Sequence, residues 1–205
     1  EEVTVYLEHE GQIVQIEFLN ESVYTNVSIS KSGYTEVVPG QEIRYTFKDI
    51  GNNSTVPLDS FYWRDTLPTD AVRLDKIITG TYSARLNYKV VFQTNLSNTQ
   101  RVLADNLNTL QNYTLDASPA ALGLASNEYV TQVTFLFGRV PGGFRQVETP
   151  YIYCDVLSSL PHEYRFANKC DVGGMWKNQW IQATDRWVTI VYRGGPVPTL
   201  PRTGY

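Results

Sequence analysis

Glu42-Ile43-Arg44-Tyr45-Thr46-Phe47-Lys48 alternates polar with apolar residues, and Val133-Thr134-Phe135-Leu136-Phe137 sets large apolar side chains at every second position. Period two belongs to a β-strand, in which successive side chains turn to opposite faces of a sheet. Both stretches therefore predict half-buried strands, with Tyr45, Phe47, Val133, Phe135, Phe137 and, by the same spacing, Trp63 in the core.

Working outward, Thr4–Leu7 and Ile13–Phe18 flank His9-Glu10-Gly11 and predict a hairpin. Further strands are expected over Asn26–Lys31, Glu42–Lys48, Leu58–Arg64, Val72–Thr79, Arg85–Gln93, Leu110–Leu115, Tyr129–Phe137, Tyr151–Leu157, Tyr164–Val172, Gln179–Ala183 and Trp187–Tyr192. Turn chemistry separates them at Pro39-Gly40, Gly51-Asn52-Asn53, Pro68-Thr69-Asp70, Pro141-Gly142-Gly143 and Gly173-Gly174. Ser118–Leu124, with Pro at an early position, is the one expected helix, a turn or two long. Short strands at intervals of about ten residues predict an all-β, Ig-like or Greek-key β-sandwich with extra hairpins.

Composition agrees. Fourteen Tyr and four Trp against one Met favour strands over helices, and 205 residues with 42% hydrophobic content are enough for a substantial core. A formal charge of −4 and the lack of a Lys/Arg cluster give no electrostatic footprint for nucleic acid or anionic lipid. No cofactor motif is present, and Cys154, Cys170, His9 and His162 fall short of a metal-ligand set. Export would permit a Cys154–Cys170 disulfide. A hairpin turning near Leu160-Pro161, however, would set Cys154 opposite a residue near Phe166, several positions out of register. No nucleophile elbow, phosphate loop or metalloprotease helix is found, so the chain is expected to be non-enzymatic.

The end of the chain reads Leu200-Pro201-Arg202-Thr203-Gly204-Tyr205, and Pro196, Pro198 and Pro201 favour an extended, accessible tail. Leu-Pro-x-Thr-Gly resembles the sorting motif by which sortases join Gram-positive surface proteins to the cell wall or a pilus. The resemblance implies that a sortase thiolate attacks the Thr203 carbonyl, releases Gly204 onward and passes the acyl group to a peptidoglycan or pilin amine. It also implies an extracellular, wall-anchored protein whose only membrane contact is a hydrophobic span of about 20 residues beyond Tyr205. The end at Tyr205 is read as a cut before that span, a separately secreted fragment being the alternative.

Four further pieces occur in order: Ser28–Tyr34, Val38–Phe47, Asp65-Thr66-Leu67-Pro68 and Phe166–Val172. Together they resemble a bacterial surface-repeat family of unknown function whose members read K…PG…YT…D.LP…N.A.V. Glu17-Phe18-Leu19-Asn20-Glu21 is similar to the closing strand of a collagen-adhesin B-type module. The implied organisation is residues 1–24 as the closing hairpin of a preceding module, or a hairpin packed on the sandwich; 25–193 as the sandwich; and 194–205 as the sorting tail. The long middle Thr81–Val147 and the Trp-rich hairpin Met175–Tyr192 depart from the family pattern.

Related pilin and adhesin sandwiches join a Lys on the first strand to an Asn on a late strand, with a buried carboxyl beside them. At the motif positions the resemblance implies Lys31, Asn168 and Asp65. Burial among aromatics would favour the neutral amine that attacks and the protonated carboxyl that polarises the amide. Plainer accounts put Lys31 on an edge strand facing water, Asp65 at the start of a turn and Asn168 on backbone groups. Lys169, Lys48 with Asp49, and an orphaned Asn20 are neighbouring alternatives, and phase along each strand decides among them.

The expected role is a stalk or pilin-like spacer. The alternative is an adhesin module that binds a glycan or host protein through exposed aromatics, for which Trp176, Trp180 and Trp187 are available.

Overall fold

The computed structural model describes residues 2–19 and 22–194. Its strands are β1 (Glu2–His9), β2 (Gln12–Leu19), β3 (Val27–Ser32), β4 (Glu36–Val37), β5 (Glu42–Asn52), β6 (Leu58–Thr66) and β7 (Val72–Ile78). The second half contributes β8 (Asn87–Thr94), β9 (Ser97–Asn108), β10 (Thr114–Asp116), β11 (Val130–Val140), β12 (Tyr151–Val156), β13 (Arg165–Trp176) and β14 (Gln179–Val191).

They form an all-β, Ig-like sandwich. One sheet has five strands in the order β10-β7-β12-β5-β3, and the other has seven in the order β4-β14-β13-β6-β11-β8-β9. Most connections carry the chain from one sheet to the other, so strands adjacent in sequence face each other across the core. Inward residues of both sheets interdigitate there, as sandwich packing requires. Tyr45, Phe47, Trp63, Val133, Phe135 and Phe137 are all buried, as period two predicted. Trp63 stacks on Phe135 with ring centroids 4.0 Å apart and meets Phe47 at 4.8 Å. Its indole N–H donates to the Tyr82 hydroxyl at 2.9 Å, so the buried polar atom is satisfied.

β1 and β2 pair only with each other, turning at Glu10 and Gly11, whose φ values are positive. Val5, Tyr6 and Ile13 of this hairpin are exposed.

Several expectations are corrected. Ser118–Leu124 is a run of turns rather than a helix, with single bonds from Leu122 to Ser118 and Leu124 to Pro119. Pro119 and Gly123 so close together leave too short a run to nucleate helix. β9 occupies a stretch where no strand was expected, because its polar, exposed pattern on a sheet edge carries little apolar alternation. Of the expected Leu110–Leu115 strand only Thr114 and Leu115 are strand, within β10. The last two expected strands are one, β14, which runs from Gln179 to Val191 after a two-residue turn at Lys177-Asn178. Both turn residues have positive φ, the backbone of a hairpin turn that matches strand twist. Cys154 and Cys170 do not share a hairpin, since β12 and β13 lie in opposite sheets, and both thiols are free and buried.

Candidate functional site

Lys31, Asp65 and Asn168 each occupy a position that the alternation of their strand assigns to the core. In β3 the inward series is Val27, Ile29, Lys31; in β6 it is Phe61, Trp63, Asp65; in β13 it is Phe166, Asn168, Cys170, Val172. β6 and β13 are neighbours with Asp65 opposite Cys170, which puts Asn168 diagonally next to Asp65 on the same face. β3 lies at the edge of the facing sheet, and its Lys31 backbone N–H donates to Asp185 Oδ2 on β14 at 2.7 Å, tying the two sheets together at this point.

The side chains meet. Lys31 Nζ donates to Asp65 Oδ1 at 2.8 Å, and both side chains are fully shielded from solvent. Asn168 Nδ2 donates to Asp65 Oδ2 at 3.3 Å, and Asn168 is also fully buried. Among the described residues, Asn168 Oδ1 has no hydrogen-bond partner. Two rings of β5 close the site over the amine: Lys31 Nζ stands 4.2 Å from the Tyr45 ring centroid and 4.1 Å from that of Phe47. Burial pushes the Asp65 carboxyl above its ordinary value, against the opposing pull of Lys31 and Asn168.

The neighbouring alternatives fall away on phase. Lys169 and Lys48 are exposed, as is Asp49, and none of them faces the core. Asn20 and the sorting motif Leu200–Gly204 lie outside the described residues.

Tyr45, Cys154 and Cys170 complete the surroundings of the cluster. Burial pushes the Cys154 thiol well up and raises the Cys170 thiol to about 12. The Tyr45 hydroxyl has no hydrogen-bond partner among the described residues and was not singled out from the sequence as more than core. Its signal is a Tyr on the same inward phase as Ile43 and Phe47, where Phe would avoid burying a hydroxyl.

The Trp residues separate. Trp187 is half-buried and donates its indole N–H to the Tyr34 carbonyl at 3.0 Å, and Trp176 packs against the core. Trp180 is 52% exposed and meets Tyr62 edge-on at 6.3 Å.

No protein-family model matches the chain, and no curated protein matches it in sequence. Among solved structures it is similar to AvmM, which catalyses macrocyclisation in alchivemycin A biosynthesis (10% identity, TM-score 0.32, covering 94% of this chain and 97% of that one). It is similar to ACE19, the collagen-binding subdomain of the Enterococcus faecalis surface protein ACE (12% identity, TM-score 0.32, covering 84% and 100%). A putative membrane-anchored protein from Corynebacterium diphtheriae gives 14% identity and TM-score 0.38, covering 89% of this chain and 38% of that one. Likeness this distant bears on no activity, ligand or location. The functional reading rests on the residues themselves.

Proposed function

We propose that the chain is a non-enzymatic, wall-anchored stalk or pilin-like spacer, a sortase substrate whose sandwich is closed by an isopeptide bond between Lys31 and Asn168. The observation that carries this reading is the Lys31–Asp65–Asn168 cluster, fully buried yet incompletely hydrogen-bonded. A buried ion pair gains little over apolar packing of the same volume, so stability alone gives no reason for placing one here. A nucleophile, a proton carrier and an electrophile in one dry pocket are the parts of an amide-forming reaction.

Proton transfer from the ammonium to Asp65 leaves a neutral amine facing the Asn168 carboxamide. Nζ bonds to Cγ, Asp65 carries a proton from the attacking nitrogen to Nδ2, and the Cγ–Nδ2 bond breaks with loss of ammonia. Ammonia leaves neutral, Asp65 is left holding the proton first taken from the ammonium, and no oxidant or external catalyst is needed. The product ties β3 in one sheet to β13 in the other, so a pulling force meets a covalent strut between the layers. The sequence motif Leu200–Gly204 supports the sortase part of the reading.

Intact mass under reducing, denaturing conditions tests the reading. The protein should be lighter than its sequence by one ammonia, and Asp65→Ala and Lys31→Ala should each restore the full mass. A wild type of full mass would remove the cross-link.

A second reading, a glycan-binding face, is favoured by Trp180. It stands beside Tyr62, whose hydroxyl donates to Asp171 at 2.7 Å, next to a two-bond Arg64–Asp171 pair and a depression of about 690 Å³. Quenching of Trp fluorescence by soluble glycans, lost in Trp180→Ala, would support it; no quenching by any glycan tried would leave the face a solvated surface.

A further inference from the structure

The attack on Asn168 moves an electron pair onto Oδ1, and that atom starts without a donor. The Asp65 contacts go elsewhere: Oδ1 of the carboxyl accepts from the amine and Oδ2 from the amide nitrogen. The Thr189 hydroxyl, also in this part of the core, donates its hydrogen to the Tyr34 carbonyl at 2.8 Å. A second polar atom of the pocket is unpartnered as well: the hydroxyl of Tyr45, a residue with no solvent exposure whose ring already lies against the Lys31 amine.

We propose that the Tyr45 hydroxyl is the oxyanion donor of the cross-linking reaction, hydrogen-bonding Asn168 Oδ1 as Lys31 attacks. This rests on the cross-link reading of the same site.

The surrounding chain holds the ring for this purpose. Gly33, just past β3, has no Cβ; one placed there would stand 3.0 Å from Tyr45 Cδ1 and 3.3 Å from Trp187 Cδ1. The bare glycine lets the ring slide under the end of the strand that carries the nucleophile. Burial holds the phenol well above its ordinary titration range, the Cys154 thiol and the Asp65 carboxyl push the same way, and the nearby Asn168 and Thr189 side chains pull against them. The hydroxyl therefore keeps its proton and acts as a donor. No proton is transferred from it: the hydrogen bond strengthens as charge gathers on Oδ1 and relaxes when ammonia leaves and the carbonyl re-forms. Two unpartnered buried atoms before reaction are a preorganised site whose partnership is made in the transition state, where it lowers the barrier.

The test is a time course of intact mass after cell-free synthesis of wild type and Tyr45→Phe. Loss of one oxyanion donor slows such steps by about 10²–10³-fold, so Tyr45→Phe should keep its ammonia long after the wild type has lost it. In an Asn168→Ala background, where no bond can form, Tyr45→Phe should melt at the same temperature or slightly higher, because it removes only an unpartnered hydroxyl. Ammonia loss at the wild-type rate in Tyr45→Phe would overturn the role of Tyr45 and leave the cross-link standing. A lower melting temperature in the Asn168→Ala background would assign the hydroxyl to structure instead. A wild type that never loses ammonia would sink the cross-link reading itself, and this inference with it.

Discussion

Asn168→Ala removes the electrophile and leaves Lys31 and Asp65 in their 2.8 Å contact, so it isolates what the covalent bond contributes. A bond between residues 31 and 168 closes a loop of roughly 140 residues, for which loop-closure entropy gives on the order of 5 kcal/mol at 25 °C. A domain of this size shifts its Tm by roughly 2–4 °C per kcal/mol, which places Asn168→Ala some 10–20 °C below wild type. Calorimetry on both proteins, each first checked by mass, measures the difference. Lys31→Ala should fall at least as far, because it also strips a buried carboxyl of its partner. A drop of less than about 3 °C for Asn168→Ala would refute the reasoning, since a hydrogen bond and a small cavity alone account for that much.

Three other outcomes follow. The Asp65 carboxyl is raised by burial, so the folded state holds a proton that the unfolded chain releases above about pH 4; its contribution is fully present on the acid side and falls as pH rises through the folded value. The carbon-13 shift of its carboxyl should stay that of the protonated form where ordinary aspartates have ionised, and an ordinary titration would contradict the buried site. Cys154 and Cys170, buried and with raised thiol values, should resist a thiol reagent in the native protein and react fully in denaturant; fast native reaction of either would place it at the surface. In the natural host, Thr203→Ala should leave the protein out of the wall fraction while its melting is unchanged. Covalent recovery with the wall would exclude the sorting motif.

The sandwich was legible because strands buried on one face write their phase into the chain, and Tyr45, Phe47, Trp63, Val133, Phe135 and Phe137 needed nothing more. β9 was not, because an edge strand with most side chains in solvent has no apolar alternation to read. Sheet membership was also hidden: the expected hairpin around Leu160-Pro161 is a crossing between sheets, which is why Cys154 and Cys170 are not neighbours in register. The site was half legible. Resemblance supplied Lys31, Asp65 and Asn168, and the phase that separates them from Lys48 and Lys169 was already in the sequence, in Val27-Ser28-Ile29-Ser30-Lys31 and in Phe166-Ala167-Asn168-Lys169-Cys170. What no single strand could show is that three such phases converge on one point, with Tyr45 over it. That depends on the register between β6 and β13 and on the packing of one sheet on the other.

Trypsin offers the most direct measurement, because the cross-link would place both joined residues in defined fragments. Cleavage after Arg165 and Lys169 isolates Phe166-Ala167-Asn168-Lys169, and a Lys31 acylated on Nζ resists cleavage, so its fragment runs on to Arg44. Tandem mass spectrometry of the wild-type digest should find these two peptides joined as one branched species, lighter than their sum by one ammonia, with the free tetrapeptide absent. A digest that yields free Phe166–Lys169 and a peptide ending at Lys31 would contradict the account.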